Sequence, residues 1–65
     1  MADLRIVWVA CPTADGTGWG PWQPTDPVPA QQAYSLARRS RRIWHGHLFA
    51  VTEPSRQPLT PRREA

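Results

Sequence analysis

The chain has 65 residues, a length that allows one domain and excludes a second. Its single cysteine excludes an internal disulfide, one of the usual stabilising devices of very small domains. Eight arginines, no lysine and five acidic residues give a formal net charge of +3, and seven of the arginines follow residue 37. That asymmetry favours an anionic partner for the C-terminal half.

The sequence predicts no membrane partner, because no apolar run approaches the ~20 residues that a membrane-spanning helix needs. The first residues do not have the basic and apolar pattern of a secretory leader. A lone cysteine is typical of a reducing compartment, so we expect a cytoplasmic protein.

Residues 4–11, with the sequence LRIVWVAC, predict a buried strand that ends at Pro12, because β-branched and aromatic side chains dominate the run. Both of its faces are mostly apolar, so the strand should be central or covered on its second side by another chain. Alternation places Leu4, Ile6, Trp8 and Ala10 on one face and Arg5, Val7, Val9 and Cys11 on the other.

A turn-rich segment follows, in which Asp15 and Gly16 predict a tight turn. Residues 17–23 are compatible with a short second strand that returns antiparallel to the first. Pro21 would confine that strand to an edge of the sheet. The sequence leaves open whether this second strand forms.

The next segment predicts a helix that starts near Pro29, because Val28 precedes a proline and is disfavoured in helical geometry. Arg41 falls within the apolar stripe, which predicts that the helix ends about there. At ~100° per residue the stripe contains Ala30, Ala33, Tyr34, Ala37 and, at its margin, Leu36. The opposite face contains Gln31, Gln32, Ser35, Arg38, Arg39 and Arg42.

Residues 47–53 predict a second long strand that a proline ends. The predicted fold is therefore a single small α/β (α+β) domain over residues 1–53, with a two- or three-stranded sheet packed by one helix in the order β-(β)-α-β. If the two long strands were adjacent and parallel, their crossover would be right-handed. Residues 54–65 are rich in proline and arginine and predict a disordered, flexible tail. One helix leaves a sheet face uncovered, and the simplest remedy is a homodimer.

Catalytic and metal chemistry find little support in the residue pattern. His45 and His47 could reach one ion, but a structural zinc site needs four protein ligands, and Cys11 is the only other soft donor. Cys11 with a histidine lacks a third, orienting residue. We also expect no cleft of the ~300 Å³ that a small-molecule site needs in so small a domain. The sequence therefore predicts no metal, no cofactor and no enzyme.

Arginines and indoles cluster around the predicted end of the helix and form the candidate binding surface. Four arginines occur within residues 38–42, Trp44 follows them, and two further tryptophans lie in the Gly/Pro-rich loop upstream. Arg and Trp are enriched at binding hot spots. Either loop tryptophan could instead cover the sheet as a structural lid. The candidate contact residues are Arg38, Arg39, Arg42, Trp44 and one of Trp19 or Trp22.

The predicted function is a non-catalytic, protein-binding accessory module whose partner is a cellular protein with an acidic surface. The alternative is a nucleic-acid-binding accessory protein that adds Arg56, Arg62 and Arg63 to the same arginines and binds with a steep salt dependence. A second alternative is a structural subunit of a larger assembly. In composition the chain resembles accessory proteins of phages and mobile elements of GC-rich bacteria.

Overall fold

A computed structural model describes residues 3–59. The predicted class is confirmed, because a helix packs on a small antiparallel sheet. The order differs in one respect, since two short strands, and not one, lie between the first long strand and the helix. Within the described range no helix has the length and apolar character needed to cross a membrane. The elements are β1 (Leu4–Ala10), β2 (Gln23–Pro24), β3 (Val28–Pro29), α1 (Ala30–Ile43) and β4 (Leu48–Thr52).

The strand β1 is the centre of the sheet, and each of the other three strands pairs with it. β4 runs antiparallel along one edge, from Ile6 opposite Thr52 to Ala10 opposite Leu48. β2 and β3 follow one another along the other edge, both antiparallel to β1. The two long strands are therefore antiparallel neighbours, and the parallel arrangement considered from the sequence is wrong. In this topology α1 returns the chain to the end of the sheet where β1 finishes.

The gap between β2 and β3 is bridged by one residue, Thr25, through its backbone and its side chain. Its backbone N–H donates to the Val7 carbonyl oxygen over 2.9 Å. Its Oγ1 lies 2.9 Å from the same oxygen and accepts the Val7 N–H over 3.3 Å. The backbone groups of Val7 are thereby paired where regular strand pairing is interrupted, which keeps a buried residue of β1 from carrying unpaired polar groups.

Residues 17–23, whose strand character the sequence left open, form a strand only in part. Pro12 and Trp19 make an isolated antiparallel bridge, and the Gly20 N–H donates to the Cys11 carbonyl over 2.8 Å. Regular pairing with β1 resumes only at β2.

The core lies between α1 and one face of the sheet, where Val7 packs against Ala33 and Ala37. The two alanines lack bulk, so the helix backbone approaches the sheet closely. The predicted stripe is correct at these alanines, whereas Tyr34 is 52% exposed. The helix is predicted to start near Pro29 and starts one residue later, because Pro29 itself has extended geometry (φ −54°, ψ 146°). The helix continues two residues beyond the predicted end.

The opposite face of the sheet is partly covered by the chain itself. Trp8 is buried, and its Nε1–H donates to Thr52 Oγ1 over 2.8 Å. The Thr52 hydroxyl lies 3.1 Å from the Arg56 carbonyl oxygen, so the segment after β4 turns back towards this face. Residues 60–65 lie outside the described residues, and the flexible tail expected over residues 54–65 stays a prediction.

The loop between β1 and β2 is closed by Asp15. Its Oδ1 accepts hydrogen bonds from Thr13 Oγ1 over 2.7 Å, from the Thr17 N–H over 3.1 Å and from Thr17 Oγ1 over 2.8 Å. These bonds, with Thr13 contributing most, lower the pKa of Asp15 from 3.8 to about 2. Gly16 has φ +74°, a conformation that side chains disfavour, and it turns the chain at this point.

The Thr25→Val variant should lower the free energy of unfolding by about 1 kcal/mol, because it leaves the Val7 N–H without its partner. Thr25→Ser keeps the hydroxyl and should retain most of the stability. Urea denaturation of both variants measures the difference. Equal losses for valine and serine would contradict the assigned role of the hydroxyl.

The Asp15→Asn variant tests the low pKa. The depressed folded-state pKa stabilises the fold above about pH 4, and this contribution is lost as the pH falls towards about 2. The stability difference between the natural protein and the variant should therefore shrink over that interval. Parallel thermal unfolding curves from pH 6 to pH 2 check this, and a constant difference over the interval would refute it.

Candidate functional site

Three of the predicted contact residues share the solvent side of α1. Arg38, Arg39 and Arg42, which we call the arginine face, surround a shallow hollow of about 290 Å³ together with Ser35. All three are exposed. The salt bridges among residues 3–59 involve Arg5 and Arg56 as their cations, and no arginine of the helix takes part in one. The arginine face therefore offers positive charge that no carboxylate of the described residues neutralises.

Arg41 points to a different side of the helix. Its Nη2 donates to the Phe49 carbonyl oxygen of β4 over 3.3 Å. By helical spacing Arg41 falls within the apolar stripe, but the helix continues past it to Ile43. The long side chain instead lies along the sheet and keeps its charged group at the exposed edge, as amphipathic side chains do.

An open groove lies between α1 and β1 on the helix side of the sheet. Its volume is about 360 Å³, and its lining is mostly apolar. We call it the apolar groove and define it by Val9, Cys11, Leu36, Trp44, His47 and Phe49. The groove exists because the alanine contact strip of α1 is narrow, so part of the β1 face next to the helix stays uncovered. The expectation of no such cleft is wrong.

Trp44 joins the groove to the end of the helix. It is 56% exposed, and its ring makes an edge contact with His47 at a centroid distance of 5.6 Å. His47 in turn stacks on Phe49 at 6.5 Å. These three rings form one continuous aromatic row in the lining of the groove. The predicted role of Trp44 as an exposed contact residue is compatible with this position.

The other two predicted tryptophans are half-buried and tied to the backbone. Trp19 Nε1–H donates to the Gly46 carbonyl over 2.9 Å, in the turn between α1 and β4. Trp22 Nε1–H donates to the Leu59 carbonyl over 2.7 Å. Within residues 3–59 neither ring lines the apolar groove. Both indoles therefore have structural contacts, and neither lines the hollow at the arginine face.

The histidines considered for metal binding lie in different surroundings. His45 is exposed in the turn after α1, whereas His47 lies in the aromatic row of the groove. The residues from 3 to 59 contain no group of three His, Cys, Asp or Glu side chains placed to hold a metal ion. The aromatic pairs of the same range are Trp44 with His47 and His47 with Phe49, and neither includes an arginine.

Sequence reasoning missed the groove and four of the residues that form it. Val9, Cys11, Leu36 and Phe49 were assigned to strand faces or to the margin of the helix stripe. The marginal position of Leu36 was the available signal. A large apolar side chain at the edge of a stripe, beside alanines, points to space that the helix does not fill.

Comparison of the chain with family models, with curated proteins and with solved structures finds no match. The function is therefore inferred from the geometry and chemistry of the arginine face and the apolar groove.

Native Cys11 should react with a small thiol reagent without denaturant, because it is exposed and lines an open groove. A colorimetric disulfide reagent measures this, and the single cysteine makes the signal unambiguous. Reaction at a rate within tenfold of that in denaturant is the expected result. A thiol that reacts only after unfolding would show that the groove is closed.

Proposed function

We propose that this protein is a non-catalytic binding module that docks on an acidic segment of a partner protein and takes an apolar side chain of that segment into the apolar groove. The observation that carries the proposal is the direct adjacency of unneutralised arginines and uncovered apolar surface on α1. Ile43, 62% exposed, lies between the two by helical position.

The helix arranges these parts as one surface. Ile43 is four residues after Arg39 and seven after Leu36, so the three side chains lie on neighbouring rows of α1. Trp44 follows directly and borders the groove. A ligand that enters the groove beside Leu36 and Ile43 would thus meet the arginine face within one helical turn.

The apolar groove and the arginine face contribute to binding in different ways, because their residue types differ. Burying one large aliphatic or aromatic side chain contributes about 1.5–3 kcal/mol, and a groove of this volume has room for such an anchor. Arginine guanidiniums pair with carboxylates in a defined fork geometry and accelerate encounter with an acidic surface. The anchor supplies affinity, and the arginines supply orientation and selection of acidic partners.

Nucleic acid is the competing ligand. Phosphate contacts would use the arginine face but would leave the apolar groove without a role. Arg56, counted among the arginines of that alternative, lies 3.8 Å from Glu53 and is partly neutralised by it, while Arg62 and Arg63 lie outside the described residues. These observations favour a protein partner.

The remaining sequence expectations belong to the same proposal. We place the module in the cytoplasm, without a cofactor, and its composition resembles that of accessory proteins of phages and mobile elements. A homodimer stays a prediction that sedimentation of the free protein measures.

Selection from a random peptide library displayed on phage tests the partner chemistry without assuming a sequence. Peptides enriched on the immobilised protein should combine several Asp or Glu residues with one large apolar residue. Enrichment of basic or purely polar sequences, or no enrichment, would refute the proposal. A single-stranded and a duplex oligonucleotide are titrated in parallel. Tighter oligonucleotide binding with a log–log salt slope of about −3 or steeper would assign the arginine face to nucleic acid.

Two variants localise the binding of the selected peptide. Replacing the arginine face with glutamine (R38Q/R39Q/R42Q) should weaken it at least tenfold. Cys11→Phe should do the same by filling the groove. Bound peptide should also slow alkylation of Cys11 in the natural protein.

The matched control for the arginine variant is A14E/Q23E/Q57E. It changes the net charge by the same three units at exposed positions outside α1. It should bind the peptide nearly as well as the natural protein does. Equal weakening by the two triple variants would reduce the effect to net charge and overturn the assignment of the surface.

A further inference from the structure

The strand β4 pairs on one side only. Its partner is β1, and residues 3–59 supply no second strand for its outer edge. The direction of its backbone groups follows from the register. Val7 directs its N–H and C=O to Thr25, away from β4, so Val7 and Val51 form a non-hydrogen-bonded pair. The N–H and C=O of Val51 therefore face outward, and by the two-residue period so do those of Phe49.

The hydrogen bond from Arg41 to β4 agrees with this alternation of inward- and outward-facing backbone groups. The Phe49 carbonyl oxygen, which accepts the hydrogen bond from Arg41 Nη2, is one of the backbone groups that face outward from β4. For the Phe49 N–H and for both groups of Val51, no protein partner occurs within the described residues. Three adjacent backbone groups on an extended strand are the template that an added strand requires.

The helix places positive charge along the same edge. Arg41 is over the Phe49 end of β4, and Arg38 lies three residues earlier on the same side of α1. Tyr34 is seven residues before Arg41 and continues the row in the direction of Glu53. This row of Tyr34, Arg38 and Arg41 lies on the opposite side of α1 from Leu36 and Ser40, which border the apolar groove. The β4 edge is therefore a second surface, on the other side of α1 from the apolar groove, and it shares only Arg38 with the arginine face.

We propose that the free edge of β4 binds an extended acidic segment of a partner protein as an added strand, with its backbone paired to Phe49 and Val51 and its carboxylates beside Arg38 and Arg41. Backbone pairing supplies affinity without sequence specificity, and the two guanidiniums select acidic segments. In this arrangement Arg41 exchanges its neutral carbonyl acceptor for a carboxylate, and the freed Phe49 carbonyl accepts an N–H of the added strand.

A second copy of the chain is a poorer occupant of this edge. Pairing β4 with its symmetry mate would set neighbouring strands ~4.8 Å apart and bring both helices to the same side of the joined sheet. Arg38 and Arg41 of each copy would then face those of the other, and like charges at close range are destabilising. Glu53 does not relieve this repulsion, because it already pairs with Arg5 at 3.7 Å and Arg56 at 3.8 Å.

Amide hydrogen exchange followed by NMR tests the edge directly. The probe is a synthetic peptide of alternating Glu and Val. Saturation with this peptide should slow the exchange of the Phe49 and Val51 amides at least tenfold. The Ala50 amide, which already pairs with β1, should change little. Unchanged exchange at Phe49 and Val51, or slowing spread evenly along β4, would overturn the proposal.

Backbone-modified peptides separate strand pairing from charge attraction. Two versions of the Glu-Val peptide carry N-methyl groups on alternate residues, one at the odd and the other at the even positions. A strand that pairs through one edge uses every other N–H, so one version should lose binding and the other should keep it. Equal behaviour of the two, whether both bind or both fail, counts against strand addition.

Protein variants supply the remaining controls. Arg41→Gln should weaken the Glu-Val peptide at least fivefold, and a Lys-Val peptide should not bind. Cys11→Phe, which fills the groove, should leave this binding unchanged, so failure at the groove and failure at the edge are distinguishable. If Phe49 and Val51 are already protected in the free protein, and more so at higher protein concentration, the edge is taken by a second copy and the proposal is wrong.

Discussion

The structure depends on one residue more than on any other, Val7 of β1. Its side chain is the buried centre of the core under Ala33 and Ala37. Its backbone N–H and C=O are paired by Thr25 on one edge, and its non-hydrogen-bonded register with Val51 fixes the outward groups of β4 on the other. Because each of the other strands pairs with β1, the sheet has no second centre that could hold it together if this strand were disturbed.

A core of such small side chains explains where the candidate surfaces come from. Domains of this size bury only ~60% of their unfolded-chain surface, so some large apolar side chains stay outside. Here the alanines occupy the contact strip of α1, and Leu36, Ile43 and Trp44 remain on its flank. The apolar groove is thus a direct consequence of close helix packing. A wider helix contact with larger side chains would have filled it.

The parts of the fold that could be predicted from the sequence are those determined by local residue patterns, namely the long strands and the start of the helix. Alternation and β-branched residues located both long strands, and Pro29 located the start of α1 to within one residue. What it could not supply depends on tertiary placement. Thr25, a residue of the segment before the predicted helix, completes a sheet edge through its hydrogen bonds to Val7. The indole of Trp19 reaches a carbonyl 27 residues away, and that of Trp22 reaches one 37 residues away. Arg38, Arg39 and Arg42 share a face as helical spacing requires. The groove beside them depends on the orientation in which α1 packs on the sheet, and this orientation cannot be predicted from the spacing of residues in the sequence.

The two surfaces also bear on stability, because a ligand that binds only the folded state shifts the unfolding equilibrium towards that state. A partner anchored in the groove would add the apolar burial that Val7, Ala33 and Ala37 do not supply alone. A strand added to β4 would pair backbone groups that now face solvent. A domain with so little core gains proportionally more from such contacts than a larger domain does. The small core that limits this fold is therefore also the feature that leaves both candidate surfaces open.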